Sequence, residues 1–178
     1  MWLVITVLAA LSLLPCIISM IIVVSNLLTP KLLIKFTALS SIVLCAFALI
    51  GCLFGWCVNL IADVSFMYWI VLFVVAVNFF VKAFKIEKFI MMFYTDNVKD
   101  FVVATSSAGI DVMLAAMGCF LFKPDFIWML VPFFFVCIAL GFVGVFIGLK
   151  SVSEKNIKYF VGFIGAVIMF SLFFNLNF

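Results

Sequence analysis

Asp111 lies inside the stretch Val102 to Phe122, which is largely apolar and long enough to cross a bilayer. An ionised carboxylate at bilayer depth costs at least ~2.5–3.5 kcal/mol, so such a residue normally faces a polar path or a partner. Residues three or four apart share a helical face. On the face of Asp111 fall Ala104, Ser107, Ala108, Ala115 and Gly118, small residues with one hydroxyl among them, and Thr105 and Ser106 lie beside it. A carboxylate with hydroxyls and backbone carbonyls offers hard oxygen ligands, which suit Mg²⁺, Mn²⁺, Ca²⁺ or Na⁺. Apolar surroundings also favour the neutral acid, so the same group could carry a proton. Gly109 would free a backbone carbonyl for the site, or serve only close packing. The competing reading of the whole stripe is a seam where two helices pack tightly.

A second polar cluster sits near the beginning of the chain, in Ser12-Leu-Leu-Pro-Cys-Ile-Ile-Ser19. Pro15 cannot donate an intrahelical hydrogen bond and frees the carbonyl of Leu11. Ser12, Cys16 and Ser19 share one helical face, which could meet Asp111 across the molecule. An ordinary proline kink is the alternative. Asn78 is a further polar residue inside an apolar segment, either a ligand or glue between helices. Asp63, Asp96, Asp100 and Asp125 are expected in loops with no special role.

The elements that must position these residues follow from composition. The chain has 178 residues, of which 70% are hydrophobic and 10% charged. That predicts an all-α integral membrane protein, because a soluble domain of this size cannot hide so much apolar surface. The runs are apolar on all sides and about 20 residues long, as spans of helix require; a membrane barrel would alternate. Six spans are expected, over Trp2–Ser25, Phe36–Asn59, Phe66–Phe84, Phe101–Phe122, Phe126–Leu149 and Ile157–Phe174. Pro30 and Pro124 stand where a helix start or turn is expected. The first segment has no basic n-region and reads as a retained span, not a signal peptide. All of 1–178 forms one polytopic membrane domain.

The lysines set the orientation. Lys31, Lys35, Lys82, Lys85, Lys88, Lys99, Lys150, Lys155 and Lys158 fall in the first, third and fifth connections, and Lys123 alone falls on the other side. The positive-inside rule makes those three loops cytoplasmic and puts both termini outside. A bacterial inner (plasma) membrane is the expected location.

Composition also excludes. The chain has no histidine and no arginine, which removes imidazole chemistry, histidine-bound zinc and common haem ligation. The six cysteines lie in apolar segments without a CxxC pair, and buried single thiols are their ordinary state. The net charge of +3 reads as membrane orientation and gives no reason to invoke nucleic acid. No cofactor and no enzyme activity is expected. The expected partners are the lipid bilayer, a small cation, and a second copy or another membrane protein.

The longest connection falls in the middle, leaving three helices on either side. An odd count per half inverts one half relative to the other. Ala48-Leu-Ile-Gly-Cys-Leu-Phe-Gly55 is similar to Gly141-Phe-Val-Gly-Val-Phe-Ile-Gly148, and both carry GxxxG, at Gly51/Gly55 and Gly144/Gly148. Small residues four apart let helix backbones approach closely in lipid. A 3+3 inverted repeat, with halves near 1–90 and 97–178, is a recurrent transporter plan with its site at the midplane.

Ala104-Thr-Ser-Ser-Ala-Gly-Ile-Asp-Val112 resembles the Ala-Thr-Ser-Ile-Asp-Ala segment of the small six-helix manganese-exporter family, within the LysE-type transporter superfamily. Gly51-Cys-Leu-Phe-Gly-Trp56 resembles the family's second-helix glycine region. Gly141 to Lys150 and Phe160-Val-Gly-Phe-Ile-Gly165 are similar to its fifth- and sixth-helix pattern. The resemblance implies export or exchange of a small divalent, manganese-like cation along a path lined by helices 1 and 4, with Asp111 as metal ligand. Its second aspartate, in helix 1, is replaced here by Leu14. A site with one carboxylate binds a divalent ion more weakly, which leaves two alternatives. One is a non-transporting membrane subunit or scaffold. The other is a transmembrane thiol-disulfide relay through Cys16, whose Pro15-Cys16 element resembles that of membrane thiol-reductant transporters, with Cys119 as partner.

Overall fold

The computed structural model describes residues 2–24, 30–61, 67–95, 97–123, 128–149 and 154–176. Eight helices occupy them: α1 (Trp2–Leu11), α2 (Leu13–Val24), α3 (Pro30–Ile61), α4 (Tyr68–Phe84), α5 (Ile86–Met91), α6 (Val98–Phe122), α7 (Leu130–Gly148) and α8 (Glu154–Leu176). Among the described residues there is no strand. Pro124, Asp125, Asp63, Asp96 and Lys150 lie outside them.

The first expected span is interrupted. α1 stops at Leu11 and α2 starts at Leu13. The break falls one residue past the carbonyl that Pro15 frees, as the missing N–H dictates. The Ser12 hydroxyl closes the break locally, donating to the Ala9 carbonyl at 2.7 Å.

Among the described residues, five helical segments are long and apolar enough to cross a membrane: Trp2–Val24 taken through its break, Lys31–Leu60, Val98–Phe122, Leu130–Gly148 and Asn156–Phe174. The third expected span, Phe66–Phe84, is shorter among the described residues. α4 has 17 residues, about 25 Å at ~1.5 Å per residue, against a hydrocarbon core of ~30 Å. It ends at Phe84, where Lys85 leaves helical geometry with φ −103° and ψ 38°.

The lysine assignment also changes. Lys82 belongs to the last turn of α4 and not to a loop. Lys31 and Lys35 are in α3, Lys88 in α5, Lys99 in α6 and Lys158 in α8. The charge is therefore carried mainly on helix ends, which extend further than the apolar runs suggested. Asp100, expected in a loop, sits in the first turn of α6, where the helix dipole favours an acid. Asn97 caps that helix, its side chain accepting from the Lys99 N–H at 3.1 Å.

The core is apolar and dense around α2. From Leu14 through Ile22 every residue of this helix is buried. The broadest packing is α3 on α6, followed by α2 on α7 and α4 on α8. Glycines set both of the first two crossings. A Cβ on Gly51 would overlap the Met113 backbone, and one on Gly55 would lie 3.1 Å from the Phe120 Cβ and 3.3 Å from the Met117 carbonyl oxygen. On the other side a Cβ on Gly144 would overlap the Cys16 backbone, and one on Gly148 would lie 2.8 Å from the Val23 Cβ and 3.3 Å from the Met20 Cα. No larger residue permits backbones this close. The outer faces are apolar: Phe135, Phe146, Phe170 and Phe173 are all exposed.

Candidate functional site: a buried carboxylate held by α4

Asp111 is about 20 Å along α6 from Val98 at ~1.5 Å per residue, near the middle of the helix, with only 1% of its surface exposed. It has partners. Asn78 donates its side-chain amide to Oδ1, and Lys82 donates its ammonium to Oδ2, forming an ion pair. Asn78 and Lys82 are four residues apart on α4 and so share a face. Helical side chains lean toward the N-terminus, so the Lys82 stem reaches back to the level of Asn78. Lys82 also belongs to the last turn of α4, where the negative end of the helix dipole favours a cation.

Aromatic rings complete the enclosure. The Lys82 ammonium lies 5.9 Å from the centre of the Phe79 ring and 5.7 Å from that of Phe89, within cation–π range. Phe89 comes from the short α5, which is anchored through a chain of rings. Phe89 meets Phe93 at 5.4 Å, Phe93 meets Phe101 at 6.1 Å, and Phe101 meets Phe36 of α3 at 4.4 Å.

Asp111 has no second carboxylate beside it among the described residues, but it is paired with a cation. Its charge is neutralised within the protein, and both carboxylate oxygens are engaged. Among the described residues no group of three or more His, Cys, Asp or Glu could hold a metal ion. A divalent ion at Asp111 would meet the positive charge of the Lys82 ammonium on the same carboxylate.

The expected oxygen ligands divide. Ser107 is exposed, because Asp111 lies at the edge of the buried face of α6 and Ser107 lies one step further round. Thr105 and Ser106 donate to their own helix, to the Phe101 carbonyl at 2.9 Å and the Val102 carbonyl at 2.8 Å. Ser12 is committed to Ala9. Ser19 donates to the Thr37 hydroxyl at 3.3 Å. The hydroxyls of helix 1 thus turn to groups other than Asp111, and only Asn78 joins the carboxylate.

Ser19 leads to a second buried polar cluster that sequence reasoning missed. Thr37, Ser40 and Ser41 of α3 are at most 1% exposed. Ser40 and Ser41 donate to the Thr37 carbonyl at 2.8 and 3.2 Å, and Ser41 also reaches the Cys137 carbonyl of α7 at 3.3 Å. The available signal was the 3–4 spacing of Thr37, Ser40 and Ser41. For Asp111 it was the 4-residue spacing of Asn78 and Lys82.

The cysteines are free thiols, and their neighbours are not those of the expected Cys16–Cys119 arrangement: Cys119 lies near Cys52 of α3, and Cys45 near Cys137 of α7. Compared with protein-family models, curated proteins and solved structures, the chain matches none.

Proposed function

We propose that this chain is an integral membrane transporter of small cations, in which a cation or proton competes with Lys82 for Asp111. The carrying observation is the buried ion pair between α4 and α6, in a chain whose helices have the length and composition of membrane spans. Intramembrane ionisable groups are expensive and typically mark ion pathways or proton relays. Lys82 stands where a transported cation would otherwise balance the carboxylate. When a cation or proton takes Asp111, the ammonium is released, and its 18% side-chain exposure offers a direction in which to swing. A divalent, manganese-like ion is the cargo suggested by the hard oxygen chemistry.

The same reading includes the six-helix, 3+3 inverted architecture, with α1 and α2 as one kinked helix and α4 as the short third. Its support is the repetition of the glycine crossings. Gly51 and Gly55 face Met113, Met117 and Phe120; Gly144 and Gly148 face Cys16, Met20 and Val23. Both partner sets run i, i+4, i+7. In that register Asp111 corresponds to Leu14, each lying two residues before the crossing. We place the lysine-bearing helix ends at the cytoplasmic side of a bacterial plasma membrane, with both termini outside.

Flux into liposomes containing the purified chain tests this. Manganese or proton flux is expected in the wild type, with at least a tenfold loss in Asp111→Asn. No flux with any of Mn²⁺, Mg²⁺, Ca²⁺, Na⁺ or H⁺ would end the transport reading. A static membrane subunit is the second reading, favoured by the self-satisfied, neutral state of the pair. It requires a stoichiometric partner that copurifies.

A further inference from the structure

Three successive turns of α3 run along α7. At the first, a Cβ on Gly141 would lie 3.0 Å from the Thr37 methyl and 3.4 Å from the Ser41 hydroxyl, so the two helices approach closely. At the second, Ser41 donates to the Cys137 carbonyl at 3.3 Å. At the third comes Cys45, four residues past Ser41 on the same face. The Cys45 and Cys137 thiols are neighbours across this seam, close enough to interact. The close approach of α3 and α7 at Gly141 and Ser41 therefore sets the two thiols on facing turns of the same two helices.

Access separates this pair from the other. Cys137 is fully buried, but Cys45 is part-exposed. With Ile42, Ala46, Leu49, Phe133 and Phe134 it lines a cavity of about 520 Å³. Ile42 and Leu49 are more than half exposed, at 53% and 51%, so the cavity opens on the side of the molecule. Its wall is almost wholly apolar, which selects an apolar reagent. Cys52 and Cys119, by contrast, are both buried, at 2% and 0% exposed.

We propose that Cys45 and Cys137 form a reversible disulfide site, entered through the lateral cavity by small apolar disulfides, that staples α3 to α7. Cys45 sulfur attacks one sulfur of the reagent, a mixed disulfide forms, and the first small thiol leaves with the proton of Cys45. Cys137 sulfur then attacks the Cys45 sulfur and releases the second small thiol with its own proton. Two protein thiols and one small disulfide become one protein disulfide and two small thiols. The site is independent of the transport reading.

The test is to treat the full chain in membrane vesicles with 2,2′-dithiodipyridine, then map its peptides by mass spectrometry without reduction. The wild type is expected to give a linked Cys45–Cys137 peptide pair, reversed by dithiothreitol. Cys57, the exposed cysteine, should carry only a thiopyridyl adduct. Cys137→Ala should trap that adduct on Cys45, and Cys45→Ala should leave Cys137 reduced. A stable adduct on Cys45 with Cys137 free in the wild type would overturn the proposal. So would a reduced Cys45 alongside a modified Cys57, or linkage of Cys137 to another cysteine.

Discussion

Where α3 crosses α6, Gly51 and Gly55 lie against Met113, Met117 and Phe120; where α7 crosses α2, Gly144 and Gly148 lie against Cys16, Met20 and Val23. The spacing is the same, yet the chemistry differs. Beside the first crossing stands Asp111, which draws Asn78 and Lys82 from α4. At the corresponding place beside the second stands Leu14, 1% exposed and purely apolar. That side holds neutral hydroxyls instead: Ser19, Thr37 and Ser41. Backbone approach depends on the absence of a side chain at a few positions. It therefore survives changes in the neighbouring polar groups, which are free to diverge.

The charged side should be the more fragile. Asp111→Asn leaves the Lys82 ammonium without its counter-charge, and losing one partner of a buried pair costs about 3–5 kcal/mol. The part-exposure of Lys82 places this variant toward the low end. The double change Asp111→Leu with Lys82→Met should recover most of the loss. Chemical denaturation in detergent measures both, and a double variant no better than the single ones would mean the pair does not act as a unit.

The two crossings should next respond alike. Gly51→Ala and Gly144→Ala each push a methyl into an opposing backbone, which typically costs about 1–3 kcal/mol. Melting temperatures of the two variants should fall together. A large drop in one and none in the other would break the equivalence of the crossings.

On the neutral side, Thr37→Val removes one hydroxyl from the Ser19 contact and should cost about 1 kcal/mol. A loss as large as that of Asp111→Asn would show that the hydroxyl cluster matters as much as the ion pair. Smallest of all is Gly162→Ala. The nearest atom to its added Cβ is 3.7 Å away, and alanine is the better helix former by up to about 1 kcal/mol. That variant should be neutral or slightly more stable by the same melt.

Much of this was legible beforehand. Long apolar runs demanded helices, and the helices are there. Pro15 marked the break at Ser12, because a missing N–H leaves a specific carbonyl unpaired. The polar partners were harder to read. Lys82 closes an apolar segment, and a lysine in that place looks like the start of a loop; it turned inward because α6 offers a carboxylate within its reach. Ser107 looked like a companion of Asp111 by spacing, but spacing cannot locate the edge of a buried face. Thr37 and Ser41 were hidden because hydroxyls hardly lower the hydropathy of a long run.

The sequence by itself determined that the chain is helical and apolar, that Asp111 is buried, and that four glycines invite close crossings. These are properties of single segments, set by backbone hydrogen bonding, side-chain size and transfer free energy. Only the tertiary structure decided what Asp111 meets, because an ion pair between residues on α4 and α6 depends on the relative rotation and depth of two helices. The packing of every other helix settles that rotation, and no local pattern encodes it.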